Sequence, residues 1–337
     1  MDAFFFEEIN MPVYTNQTNI PLSVAAWLAN DTYDGNPTTN KMISVTTLLK
    51  ATRQIILTER LQGSNKTLDI SDLFNSALGK AFHDAIEATW NLPKEKLNTI
   101  LLSLGYPQSI IDRIEINPEN PSQNSIPIYL EQRVQKEIAG WTVTGKFDFI
   151  GGGILSDHKS TSSYVYTSDK KAHDYQMQGS IYRWLNPEKV TKDYMEINFL
   201  INDWKKVDTY KEGYPKARIV TERFPLIPVQ QIEVFLTDKL NDLDYYKDQP
   251  EEVLPQCNPK ELWQKPDTYK YYKSGQITSR STANFDTEYE ALNRKLSDGD
   301  VGIVVKKQGQ VLACKYCAAA PLCSQFATLK SLGLVAE

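Results

Sequence analysis

The sequence predicts an α/β protein: a mixed sheet flanked by helices. Three observations carry that reading. Residues 127–138, 141–150 and 153–160 read as successive strands, the last two joined through Gly151-Gly152-Gly153. Residues 194–203 alternate Met195, Ile197, Phe199 and Ile201 with polar neighbours, as a half-buried strand does. Residues 69–88, 172–185 and 228–247 instead repeat apolar residues at helical spacing.

The other elements follow in chain order. Residues 43–61 and 94–104 read as helices. In the helix over 69–88, Phe74, Ala77, Leu78, Ala81, Phe82, Ala85 and Ile86 form one apolar stripe, and Asp69 or Ser71 can cap its start. His83 lies off that stripe, one turn after Gly79, where a glycine lets another backbone or a substrate approach. NPENPSQNSIP at 117–127 is a polar loop. Met177, Ile181 and Trp184 mark the buried side of the helix over 172–185, with Gln178 and Tyr182 stacked four residues apart on a neighbouring face. Ile232, Phe235, Leu236, Leu240 and Leu243 mark the helix over 228–247. A hairpin near 268–286 and a short helix at 287–297 lead into a cysteine-rich end. The expected organisation is an N-terminal helical segment (1–68), a core (69–250) and a C-terminal subdomain (251–337). No internal repeat or low-complexity tract interrupts it.

The chemistry concentrates on the hairpin. Asp148 ends Gly145-Lys146-Phe147-Asp148, and Asp157-His158-Lys159 follows the glycine turn. Alternation puts Asp157 and Lys159 on one face of their strand, and Asp148 on the preceding strand can reach the same patch. Two acids and a lysine so placed can hold a divalent metal and a water beside a phosphodiester. The commonplace reading of an Asp-x-Lys triplet is a solvated strand edge, and of a single histidine a helix-surface residue. The case therefore rests on the companions. Glu131, in YLEQRV, is a weaker candidate for an additional acid, a surface salt bridge being its ordinary role.

Taken in order, Gly79-x3-His83, Gly145-x2-Asp148, Asp157-x-Lys159 and Gln178-x3-Tyr182 resemble the RecB-like branch of the PD-(D/E)XK nuclease superfamily. The resemblance runs over residues 79–182. It implies the restriction-endonuclease-like mixed sheet and a metal-dependent DNA exonuclease working in recombination, replication or end processing, with phage origin compatible. It also implies that His83, Asp148 and Asp157 are metal ligands and that the backbone carbonyl of His158 completes the site. Lys159 would orient or help deprotonate the attacking water, while Gln178 and Tyr182 would support the lysine and contact DNA. The second acid is Asp here where many relatives have Glu. Oxygen ligands suit Mg²⁺ or Mn²⁺, and the histidine tilts the site toward Mn²⁺. Two other readings stand beside this one: a DNA-binding scaffold that keeps the fold without cutting, and an end-trimming nuclease of CRISPR adaptation.

Cys257, Cys314, Cys317 and Cys323 are the only cysteines, the last three in a Cys-x2-Cys-x5-Cys pattern. The opening MDAFFFEEIN has neither the charge nor the apolar run of an export signal, which disfavours a disulfide framework and favours a metal site. Four thiolates without a nearby histidine suit a [4Fe–4S] cluster or structural zinc, and spacing does not separate them. The resemblance favours the cluster, since CRISPR-associated and AddB-type relatives carry one on a similar C-terminal triplet. Their fourth cysteine precedes the nuclease core. No cysteine precedes Cys257 here, so Cys257 would be the fourth ligand, across a long insert, as in a phage-type exonuclease variant. The cluster would pin the C-terminal segment to the core.

With 337 residues and 41% hydrophobic content, the chain can bury a sizeable core. No apolar run is long enough for a transmembrane helix, so no membrane partner is expected and a cytoplasmic location is, in a bacterial cell or phage-infected host. The net charge of −5 requires that any DNA groove be local. Arg53, Arg60 and Lys205-Lys206 are candidate pieces of it. Lys270-Tyr271-Tyr272-Lys273 could stack bases and meet phosphates, but ordinary strand composition is the better reading of that stretch. No Gly-x4-Gly-Lys-Ser/Thr motif is present, so unwinding would need a helicase partner. A single-strand-binding protein, a recombinase or further copies of the chain are the other partners to expect.

Overall fold

The structure, a computed structural model, describes residues 13–30, 41–61, 67–168 and 171–336. The opening segment read above for an export signal lies outside the described residues. The chain divides into two compact units, Met1–Leu49 with Gly63–Leu240 and Lys50–Gln62 with Asn241–Glu337. The boundaries expected at 68 and 250 are therefore displaced. The Thr52–Arg60 helix belongs to the C-terminal unit, where Arg60 donates to the carbonyls of Tyr246, Lys247 and Gln249.

The first unit is built on a six-stranded mixed sheet. Its strands are β1 (Ile114–Ile116), β2 (Ile126–Leu130), β3 (Phe149–Gly151), β4 (Ile154–Thr161), β5 (Tyr194–Ile201) and β6 (Ile219–Pro225), in the order β6-β5-β4-β3-β2-β1. β4 and β5 are parallel and pair Asp157 with Ile197, while β3 runs antiparallel to both of its neighbours. A parallel pair needs a crossover, and the chain between β4 and β5 carries a helix, Ala172–Leu185. It is labelled α2, after α1 (Phe74–Trp90). β5 alternates as its sequence demands, with Met195, Ile197, Phe199 and Ile201 all buried. Ile150, Leu155, Ile181, Trp184 and Leu236 are buried with them. β3 and β4 are joined by Gly152 and Gly153 at φ of 56° and 84°, the left-handed pair that a two-residue hairpin turn requires.

Each of the two long strands expected at 127–138 and 141–150 divides between two sheets. Arg133–Ile138 and Trp141–Lys146 leave the large sheet and join Met42–Ser44 in a three-stranded one, with Trp141–Lys146 central. The breaks fall at Glu131, whose φ is 48°, and at Phe147-Asp148. They are held against each other: Glu131 N donates to the Asp148 carbonyl at 3.0 Å, and Phe147 N to the Gln132 carbonyl at 3.3 Å. The helix expected over 43–61 breaks into Met42–Ser44, a turn at Val45–Leu48 capped by Ser44, and Thr52–Arg60. The segment 69–88 opens with a 3₁₀ turn capped by Asp69 before α1 begins.

In the second unit, Ala283–Phe285, Thr268–Tyr272 and Ile303–Lys307 form an antiparallel sheet with Thr268–Tyr272 in the middle. A Thr287–Glu290 capping box starts the adjoining helix, Glu288–Ser297. Tyr271 and Tyr272 are buried in the Thr268–Tyr272 strand, as its composition suggests, so neither ring is open for base stacking, while Lys270 is half-buried and Lys273 exposed. Arg53 is buried as well, whereas Lys205 and Lys206 are exposed. Among the described residues, no helix is long and apolar enough to cross a membrane.

Candidate active site and cysteine centre

The paired strand breaks deliver two acids to one place. Asp148 leaves the junction just before β3, and Glu131 leaves it in the left-handed conformation, a backbone state rare outside glycine and common at functional sites. His83 enters from α1. One donor atom from each of His83, Glu131 and Asp148 lies within 4.8 Å of the others. His83 Nδ1 is 3.3 Å from Asp148 Oδ2 and 3.9 Å from Glu131 Oε1. His83 Nε2 donates to the His158 carbonyl at 2.8 Å, and the His158 amide donates to Asp148 Oδ2 at 2.9 Å. The His158 carbonyl thus borders the same patch. Its imidazole does not serve there: it packs edge-on to Phe82 and Phe149 and meets Asn198, and burial lowers its pKa.

Asp157 and Lys159 share a face of β4, as alternation requires. Asp157 is 5% exposed. Lys159 Nζ lies 3.1 Å from its Oδ1 and 2.8 Å from its Oδ2, so the ammonium engages both carboxylate oxygens. The expected ligand set of His83, Asp148 and Asp157 therefore differs from the donors gathered, which are His83, Glu131 and Asp148. The reason is local: Lys159 holds the Asp157 carboxylate, and Glu131 is turned inward at its strand break. Glu131 also makes the salt bridge expected of it, 2.8 Å from Lys146 Nζ.

Electrostatics couple these groups. Burial opposes a charge on His83, but hydrogen bonds to Asp148 and Glu131 and the surrounding carboxylates win, raising its pKa to about 10. Burial also opposes the Asp148 carboxylate. His83 and Lys159 outweigh it and hold that group below the usual carboxylate range. For Asp157 burial wins, pushing the group up to about 6 despite Lys159. Lys159 resists its own burial because Asp157 and Asp148 raise its pKa, so it stands as an ammonium. An arrangement this negative holds a proton on His83 where a cation would sit.

α2 places Gln178 and Tyr182 differently from expectation. Tyr182 is buried, and its hydroxyl donates to the Lys146 carbonyl at 2.9 Å. Its ring also explains Gly145: a Cβ there would fall 2.6 Å from Tyr182 Cε1 and 2.9 Å from Val45 Cγ2. Tyr182 thus braces the strand leading into Asp148. Gln178 is half-buried on the same helix. Tyr175, one turn earlier, is the residue that sequence reasoning missed. It feels the charges of Lys159 and Asp157 and stacks edge-on against Phe199 and Phe224. Its signal was a third polar-tipped side chain at i−3 and i−7 from Gln178 and Tyr182. No neighbouring atom lies above Gly79, so the close backbone approach expected there is absent among the described residues.

The four cysteines line one small cavity in the second unit, and none is in a disulfide. Local geometry explains the convergence. Cys317 N bonds to the Cys314 carbonyl, Ala320 N to the Cys317 carbonyl and Cys323 N to the Ala320 carbonyl. Two separate 3₁₀ turns, Ala313–Tyr316 and Ala320–Leu322, each end at a cysteine with extended backbone, Cys317 and Cys323, so the chain folds back on itself at each one. The insert after Cys257 closes at its base, where Leu312 N and Ala313 N both donate to the Leu262 carbonyl. Gln325 then clamps Cys257, accepting from its amide and donating to its carbonyl, each at 2.8 Å. Burial pushes the Cys257 thiol up to about 12, helped by Glu261, Cys323 and Cys317, and burial raises Cys314 too. Four reduced thiols converging on one cavity fit a thiophilic metal centre.

No family model matches the chain. No curated protein matches it either. A solved structure, described as the crystal structure of SSO0001, is similar to it with a TM-score of 0.39 and 15% identity, over 69% of this chain and 90% of that one. Likeness at that level carries no argument about family or function.

Proposed function

We propose that this chain is a metal-dependent deoxyribonuclease on the RecB-like PD-(D/E)XK plan, acting on DNA ends, with a cysteine-bound [4Fe–4S] or zinc centre in its C-terminal unit. One observation carries the reading: His83, Glu131 and Asp148 gather N and O donors within 4.8 Å of one another, electrostatically coupled to the buried Asp157–Lys159 pair. The gathered imidazole and carboxylate donors fit a divalent cation.

His83, Glu131 and Asp148 would hold Mg²⁺ or Mn²⁺, with Asp157 beside them. A bound ion supplies a lowered water pKa and a counter-charge for the phosphoryl oxygens. Lys159 contributes an ammonium kept charged by Asp157 and Asp148, which can orient a water or meet the developing negative charge. Tyr182 and Gly145 fix the strand that carries Asp148.

The test is digestion of end-labelled single- and double-stranded linear DNA and of circular DNA, with Mg²⁺ or Mn²⁺. Metal-dependent loss of linear but not circular substrate supports an exonuclease, and the label gives its polarity. Folded, metal-loaded protein that cuts none of them overturns the proposal in favour of a binding role.

A further inference from the structure

Arg53 is 1% exposed and is one of the largest fully buried side chains. Nothing in the nuclease reading uses it. Three of its nitrogens are engaged within the second unit. Nε donates to Cys323 Sγ at 3.3 Å, Nη1 to the Leu254 carbonyl at 3.0 Å, and Nη2 to Ser324 Oγ at 3.0 Å while also pairing with the Glu251 carboxylate. Glu251 Oε1 in turn accepts from both the amide and the hydroxyl of Ser324, each at 3.0 Å. The network clamps the residue directly after Cys323.

Burying a guanidinium is costly unless its charge and its donors are met. Glu251 offsets one charge. The donor left over, Nε–H, is aimed at sulfur, a weak acceptor as a thiol and a much stronger one as a thiolate. Among the described residues lining the cysteine cavity, Arg53 is the one cation. Four thiolates around Zn²⁺, or around a [4Fe–4S]²⁺ core, leave two net negative charges in either case. A buried cation bonded to one ligand sulfur offsets part of that charge whichever metal is present.

We propose that Arg53 is a positioning residue of the four-cysteine centre: it holds Cys323 in ligand position through Nε–H···Sγ, and its charge sets how firmly the centre keeps its metal. For an iron–sulfur centre the same donor raises the reduction potential, since it favours the more negative reduced state. The inference rests on reading the four cysteines as a metal centre.

The experiment uses the full chain purified anaerobically, with iron, sulfide and zinc measured, followed by metal release to EDTA in wild type, Arg53→Met and Arg53→Lys. Arg53→Met is expected to release metal at least tenfold faster than wild type, and Arg53→Lys, which keeps the charge but loses the fork, at an intermediate rate. If the centre is iron–sulfur, Arg53→Met shifts the reduced-to-oxidised ratio at fixed potential about tenfold toward oxidised, a fall of about 59 mV. Wild-type release rates and potential in folded Arg53→Met overturn the assignment. Should Arg53→Met fail to fold, Arg53→Lys decides alone: faster release supports the role, and a wild-type rate overturns it. Wild-type protein holding neither iron nor zinc fails differently, removing the metal-centre reading itself.

Discussion

Divalent metal binding at His83 should depend steeply on pH. The perturbation is a change of pH from 7 to 9 at constant ionic strength. Without metal, His83 keeps its proton up to about 10: burial opposes the charge, but hydrogen bonds to Asp148 and Glu131 and the charges of Asp148 and Asp157 outweigh it. An imidazole must lose a proton to ligate a metal. Below pH 10, each pH unit therefore changes the apparent affinity about tenfold, so two units give about a hundredfold gain, or about 2.7 kcal/mol. Asp157 releases its own proton near 6, so the slope should steepen only below that value. Calorimetric titration of Mn²⁺ into metal-free protein, repeated across several buffers, measures both affinity and proton release. In His83→Asn the slope above pH 7 should flatten. Affinity that does not vary with pH in wild type, or that varies equally in His83→Asn, refutes the argument. The same shift has a consequence for stability without metal. A histidine raised from 6.5 to about 10 stabilises the fold fully below 6.5, and that contribution is lost as pH rises toward 10.

Three further substitutions test the geometry. Glu131→Gln should weaken Mn²⁺ binding at least tenfold by calorimetry, since it replaces one of two gathered carboxylates with a neutral amide oxygen. Tyr182→Phe should cost about 1–2 kcal/mol in chemical unfolding, because the Lys146 carbonyl loses its hydroxyl donor. Gly145→Ala should cost about 1–3 kcal/mol and lower cleavage, since the new methyl pushes on Tyr182 and Val45 at the strand that leads into Asp148.

Much of the first unit was legible because its signals are local. The glycine turn fixed the β3–β4 hairpin, and a strong apolar period fixed α2 over the residues expected, Ala172–Leu185. The strand breaks were not legible. Glu131 is not a glycine, and nothing nearby in sequence marks a left-handed residue there. Tertiary hydrogen bonds between the two breaks impose it, and with it the inward turn that brings Glu131 to His83. β6 is not legible because it is an edge strand whose exposed face carries Thr221, Arg223 and Pro225 and whose other face includes Glu222, leaving no strong apolar alternation. Ile303–Lys307 is short and only half-buried, and its pairing partner lies far back in sequence at Thr268–Tyr272. Arg53 read as a groove cation because burial of a charge depends on partners, Glu251, Leu254 and Cys323, that no local pattern reveals.

The most direct test of the nuclease reading measures cleavage and DNA binding side by side in wild type, Asp148→Ala and Lys159→Ala, with Mn²⁺ present. The account predicts that both variants lose cleavage while binding labelled DNA about as tightly as wild type. Cleavage by Lys159→Ala at the wild-type rate would contradict it, and would remove the Asp157–Lys159 pair from the chemistry.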